Sequence, residues 1–228
     1  MKRMKLLRNT LLAGALLLSA QASHAQHINA GANSQNQNDQ LVWENGAEFA
    51  ASSGYAKELT LATSGRYAGL YNGSLTFTAL PSATGGAALG SFLTAEIVSV
   101  AGPVGATFAF WEGADQGGGA TPLYSIATGS SGLSHQFALS DATAGAGTVG
   151  GDAYGHLHGR RFTTTDLGIY TVGIRAIDTS VNGVSGGPIH TASEVLYVNF
   201  AAVPEPSTFA LAGLGLAGFW ILRRKRNG

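Results

Sequence analysis

Residues Ile169-Tyr170-Thr171-Val172-Gly173-Ile174-Arg175-Ala176-Ile177-Asp178 form a run rich in β-branched side chains, and its period is that of a strand. Nothing in it sustains the 3.6-residue period of a helix. The same reading extends outward to Lys57 to Ala62, Ser74 to Leu80, Phe92 to Val100, Ala106 to Trp111, Leu123 to Ala127, Leu133 to Leu139, Arg161 to Thr165 and Glu194 to Ala202. Between these segments lie turn signals such as Asn72-Gly73, Asn182-Gly183 and Gly117-Gly118-Gly119.

Many short strands without intervening helices predict an all-β fold, an antiparallel β-sandwich of jelly-roll or immunoglobulin-like type, over a parallel sheet. No internal repeat is visible. Asn29 to Gln40, rich in Asn, Gln and Ser, reads as an extended lead-in outside the core.

The chain has 228 residues, no Cys, 33 Gly and 11% charged residues. The absence of Cys excludes a disulfide scaffold, a thiolate metal site and a Cys nucleophile. The formal net charge is zero, but Lys2, Arg3, Lys5 and Arg8 open the chain and Arg223, Arg224, Lys225 and Arg226 nearly close it. Between residues 26 and 203, five basic residues face twelve acidic ones, a net of −7. Binding to a phosphate backbone needs clustered Lys and Arg, so nucleic acid is a poor partner for this body. Met1 and Met4 are the only methionines, so the body lacks all sulfur.

Both ends read as addresses. Residues 1–25 have a basic start, the apolar run Leu11 to Leu18 and Ser23-His24-Ala25 as a small-x-small cleavage site. This predicts a signal peptide removed by signal peptidase. At the other end, Val203-Pro204-Glu205-Pro206 precedes an apolar stretch from Phe209 to Leu222 and then the basic cluster Arg223, Arg224, Lys225 and Arg226. Ser207 to Leu222 would span about 24 Å as a helix, slightly less than a hydrocarbon core of about 30 Å. The expected organisation is therefore a signal helix (1–25), an exported β-sandwich domain (26–203) and a tail (204–228) holding a motif, a transmembrane helix and a basic stop on the cytoplasmic side.

This tripartite tail resembles the PEP-CTERM sorting signal of Gram-negative bacteria. The resemblance implies recognition of Val203, Pro204, Glu205 and Pro206 by an exosortase in the inner membrane. Cleavage and transfer to the cell surface or an exopolysaccharide matrix would follow.

The body's sharpest feature is Gly155-His156-Leu157-His158-Gly159. In extended backbone His156 and His158 point to one face, so both imidazoles can reach one ion, and the flanking glycines permit a bulge. Two neutral nitrogen donors suit Zn²⁺, Cu²⁺ or Ni²⁺, and a tetrahedral zinc site needs one or two more ligands. His135 shares an apolar face with Leu133, Phe137 and Leu139. It is either a hydrogen-bonded core residue or the third ligand. His27 and His190 could complete a site, though exposure to solvent is the simpler reading of each. Asp152 or Asp178 could accept an imidazole N–H. Arg160 and Arg161 are expected to pair with carboxylates.

Phe110-Trp111-Glu112-Gly113, His135-Gln136-Phe137, Gly155 to Phe162, Gly168 to Val172 and Asp178-Thr179-Ser180, with the opening Gln26 to Ala32, together resemble a Zur-repressed PEP-CTERM family. The likeness to actinobacterial surface-anchored repeats is more distant. The resemblance implies zinc capture or handling at the cell surface when zinc is scarce, with His27, His135, His156 and His158 as ligands and Zn²⁺ as cofactor. The alternative is a structural or adhesive matrix protein whose histidines are incidental. No Gly-x-Ser-x-Gly elbow, P-loop or dinucleotide fingerprint appears. A metal-dependent hydrolase lacks a general base beside the His-x-His pair, so the expected role is non-catalytic.

Overall fold

The computed structural model describes residues 27–112, 121–139 and 160–204. Its strands are β1 (His27–Ala32), β2 (Leu41–Trp43), β3 (Ala56–Leu61), β4 (Tyr71–Gly73), β5 (Thr76–Ala79), β6 (Leu93–Ala101), β7 (Thr107–Trp111), β8 (Tyr124–Ala127), β9 (Ser130–Ala138), β10 (Arg161–Thr164), β11 (Gly168–Asp178) and β12 (Leu196–Ala202). One short helix, α1 (Gly46–Phe49), follows β2. The all-β reading therefore holds.

Alternation explains the strands. On β11, Tyr170, Val172, Ile174 and Ala176 are fully buried, while Ile169 is 60% exposed, as a pleated strand with one face on a core requires. Nine strands form one sheet in the order β8-β7-β10-β4-β3-β12-β11-β6-β9, and three form another in the order β2-β1-β5. The small sheet lies on the concave face of the large one. Phe77 of β5 meets Phe137 of β9 and Phe162 of β10 edge-on, at 5.6 and 6.1 Å between ring centroids. Phe108 and Phe200 add another edge-on pair at 5.1 Å. Such aromatic pairs contribute beyond the area they bury, about 1 kcal/mol each.

The large sheet curls. The ladders of β6 with β11 and with β9 shift register at Gly173/Ile174 and at Ile97/Ser99, and bulges of this kind increase local twist and bend. Gly173 suits this point because a Cβ there would lie 2.5 Å from Ser99 Oγ. The curl brings the two edge strands, β8 and β9, together, so the sandwich approaches a barrel.

Three sequence expectations are corrected. The sandwich is not wholly antiparallel, because β1 runs parallel to β5 and β12 parallel to β3. Asn29 to Ala32 is not a lead-in: β1 is the middle strand of the small sheet, and Ile28 and Ala30 are fully buried. Asn72 and Gly73 lie inside β4, paired with Thr163 and Phe162, where Asn72 Nδ2 also donates to the Thr60 carbonyl. The signal peptide and the tail beyond Pro204, including the expected transmembrane helix, lie outside the described residues. Among the described residues no helix is long and apolar enough to cross a membrane.

Candidate functional site

The antiparallel ladders define two ends of the molecule. At one end β7 and β9 finish, β10 begins and β11 terminates at Asp178. The described residues that flank segments 113–120 and 140–159, namely Glu112, Thr121, Leu139 and Arg160, lie at this end, and His156 and His158 themselves lie outside the described residues.

Two polar anchors organise this loop end. Asp178 is 8% exposed, and its carboxylate accepts four backbone N–H bonds. Oδ1 takes those of Phe92 and Ser180, and Oδ2 those of Ile189 and His190, all between 2.9 and 3.1 Å. Burial alone would raise its pKa, but these donors outweigh burial and hold the carboxyl below its ordinary value. A carboxylate with four amide donors has no remaining capacity to orient a metal-bound imidazole. The role considered for Asp178 is thereby replaced by loop anchoring.

His190, expected at the surface, is 2% exposed. Its Nε2 accepts the Ala88 N–H at 2.9 Å and its Nδ1 lies 3.1 Å from the Asp39 carbonyl, an arrangement that assigns the proton to Nδ1. The ring ties three connections together with both nitrogens in use.

Arg160 returns the chain to the core from the 140–159 segment. It is 5% exposed, and its Nε donates to Glu112 Oε1 at 2.7 Å, so the expected carboxylate partner is Glu112. The guanidinium lies over the rings of Phe137 and Phe110, 5.2 and 6.0 Å from their centroids. Burial lowers its pKa, and the Glu112 charge and hydrogen bond oppose the shift. Its Nη1 is buried and has no hydrogen-bond partner among the described residues.

The other described histidines are also placed by structural contacts. His27 is half-buried, with Nδ1 3.0 Å from Thr78 Oγ1 across the parallel β1–β5 ladder. His135 shares a face with buried Phe137 and Leu139, as its spacing predicts, and stacks on Tyr124 at 4.5 Å. Among the described residues no group of three His, Cys, Asp or Glu side chains is arranged to hold a metal. The predicted set is therefore divided: His27 and His135 belong to no three-donor group there, and His156 and His158 fall outside.

Sequence reasoning missed a polar row on the outer face of the large sheet. Glu96, 2% exposed, pairs in register with Arg175 on one side and Gln136 on the other. It accepts from Ser134 Oγ, Gln136 Nε2 and Arg175 Nε. Burial opposes its ionisation, but these partners prevail and lower its pKa. The available signal was a lone Glu within the apolar run Phe92 to Val100, since a buried carboxylate requires a partner. A groove of about 290 Å³ also opens where β2 separates from Ser193 to Leu196, lined by Leu41, Trp43, Ala47 and Ala50.

The opposite end carries the chain's exit. β12 runs into it, the Val203 N–H donates to the Leu59 carbonyl at 3.2 Å, and Pro204 is exposed. Glu205, Pro206 and the stop Arg223, Arg224, Lys225 and Arg226 lie outside the described residues. Residues 202–226 match the PEP-CTERM protein-sorting motif. Nothing matches the chain among curated proteins or solved structures. The match confines itself to the tail, so the likeness of the body to a Zur-repressed family or to actinobacterial repeats gains no support from it.

Proposed function

We propose that this chain, which carries a PEP-CTERM sorting motif and is thereby an exported protein processed by exosortase at the membrane on its way to the cell surface, serves there as a non-catalytic structural or adhesive β-domain. The observation that carries this reading is the employment of its described histidines. His190 joins three connections through both ring nitrogens, His27 meets Thr78 and His135 stacks on Tyr124. Among the described residues, loops are tied by buried Asp178 and His190 with their polar atoms in use, which suits a display unit in an exopolysaccharide matrix.

Zinc handling is the second reading, favoured by the spacing of His156 and His158. One experiment separates them. The full chain in detergent is analysed for retained metal and melted with and without zinc, because a ligand bound only by the folded state must raise Tm. The structural reading expects no retained zinc and no shift. About one zinc per chain, the content of a single tetrahedral site, lost in the His156→Ala, His158→Ala double variant, would overturn it.

A further inference from the structure

We infer that the end from which the sorting tail leaves is a membrane-apposed face, seated on the lipid bilayer through the exposed apolar side chains Val104, Leu167 and Ile169. The inference rests on the sorting reading of the tail.

Three turns meet at this end: Gly102 to Ala106, Ala127 to Ser131 and Thr165 to Ile169. They are packed on one another. Thr128 Oγ1 donates to the Pro103 carbonyl at 2.6 Å. Gly168, at φ +135°, lies so close to Pro103 that a Cβ would come within 2.7 Å of its Cγ. Gly168 and Ile169 pair with Ala202 and Ala201 at the end of β12, so the turns border the exit itself. At their tips Val104 is fully exposed, Leu167 is 46% exposed and Ile169 60%. The three turns carry one charged residue, Asp166. The β3–β4 connection, which also starts here, folds back across the outer face, with Tyr67 edge-on to Trp111 at 5.1 Å.

The tether selects the bilayer as occupant. The Val203 N–H is held by the Leu59 carbonyl, and the apolar run of the tail begins at Phe209. Six residue steps reach at most about 20 Å, so the turns are confined close to the surface in which that run sits. Confinement of this kind replaces intrinsic affinity by effective concentration, and three apolar side chains suffice where a free protein would need more. The three turns, with one carboxylate between them, oppose little charge to an anionic surface. Exposed Leu89, Val181 and Val184 sit on loops at the far end, separated from the exit by the 11 residues of β11, about 35 Å.

The test uses the absence of Cys. Full-length chain is reconstituted into phosphatidylethanolamine–phosphatidylglycerol vesicles with one environment-sensitive fluorophore on an introduced cysteine, at Val104→Cys, Leu167→Cys or Val184→Cys, and a shallow nitroxide lipid as quencher. Quenching is expected to be several-fold stronger at positions 104 and 167 than at 184. With the reporter at Ser131→Cys, the Val104→Asp, Leu167→Asp variant should bring quenching down to the level at 184. Both substituted side chains are exposed, and an unchanged thermal melt verifies folding. Equal quenching at both ends, or no response to the aspartates, overturns the inference while leaving the tail reading intact. Quenching that arises only when exosortase is co-reconstituted also overturns it, in favour of a protein contact. A chain that fails to float with the vesicles refutes the tail reading and this inference with it.

Discussion

The ring of Tyr124 stacks on the imidazole of His135 at 4.5 Å, and the Tyr124 hydroxyl donates to the Gln136 carbonyl at 2.7 Å. These two residues belong to β8 and β9, the opposite edges of the nine-stranded sheet. Each edge strand presents unpaired backbone groups, a liability that sheets must cover. The stack and the hydrogen bond cover the line where the edges meet.

Tyr124→Phe should keep the stack and lose one hydrogen bond, costing about 1 kcal/mol. Tyr124→Ala should cost about 3 kcal/mol, through lost ring packing against His135 and Phe110. Urea denaturation measures both. Amide exchange in β8 and β9 should rise in the alanine variant before that of β11. A uniform rise across the sheet would contradict a local seam.

Asp178 sets an acid limit. Its carboxyl titrates below its ordinary value of 3.8 when folded, so its stabilisation is complete above that value and is lost as pH falls through the depressed folded one. Glu96, also depressed from 4.5, adds to the same limb. The urea midpoint should fall steeply on acidification below about pH 4, the range of these groups. Asp178→Asn should be less stable near pH 7, by about 3 kcal/mol for a lost charged acceptor, and should show a shallower acid limb. Parallel profiles for the two proteins would contradict the assignment.

The Arg160–Glu112 pair should respond asymmetrically. Arg160→Met replaces a buried cation with an apolar chain of similar length over Phe110 and Phe137, and removes the buried Nη1. It is expected to be neutral or stabilising by about 1 kcal/mol. Glu112→Ala leaves the guanidinium buried without its carboxylate. Because Glu112 is 41% exposed, the cost should be moderate, about 1–2 kcal/mol. Chemical denaturation of the two variants gives the comparison, and a larger cost for Arg160→Met would contradict it.

Gly168→Ala tests the junction of the turns beside the exit. At φ +135° an alanine is strained, and its Cβ would be driven onto Pro103. The expected loss is about 2 kcal/mol, with enhanced proteolysis between Gly102 and Ala106. A melt identical to that of the parent would show that the turns can separate freely.

Much of the fold was legible because strand period and β-branched composition are local properties. All nine predicted segments contain observed strands, with ends displaced by a few residues. Three strands were missed: β4 because Asn72-Gly73 read as a turn, and β1 and β2 because Asn29, Gly31 and the polar run after them mask Ile28, Ala30 and Leu41, whose burial depends on a partner sheet. The site was less legible. His135 fell on the face its spacing gave, but nothing in the sequence says that β8 and β9, joined by Thr128-Gly129, end on opposite edges of one sheet and meet as a seam of side chains around Tyr124 and not as a paired hairpin. His190 read as a turn residue, since nothing near it in sequence reveals that Ala88 and Asp39 converge on its ring.

From the chain of letters alone came the strand segments, the acidic sulfur-free body and the sorting tail, because each is written in contiguous residues. Three-dimensional folding decided the two parallel ladders, the seam between β8 and β9, the duties of the histidines and the gathering of Val104, Leu167 and Ile169 around the exit. A two-residue alternation tells which face of a strand is apolar but not which strand lies beside it. Neighbours are chosen by register, bulges and the curl of the whole sheet.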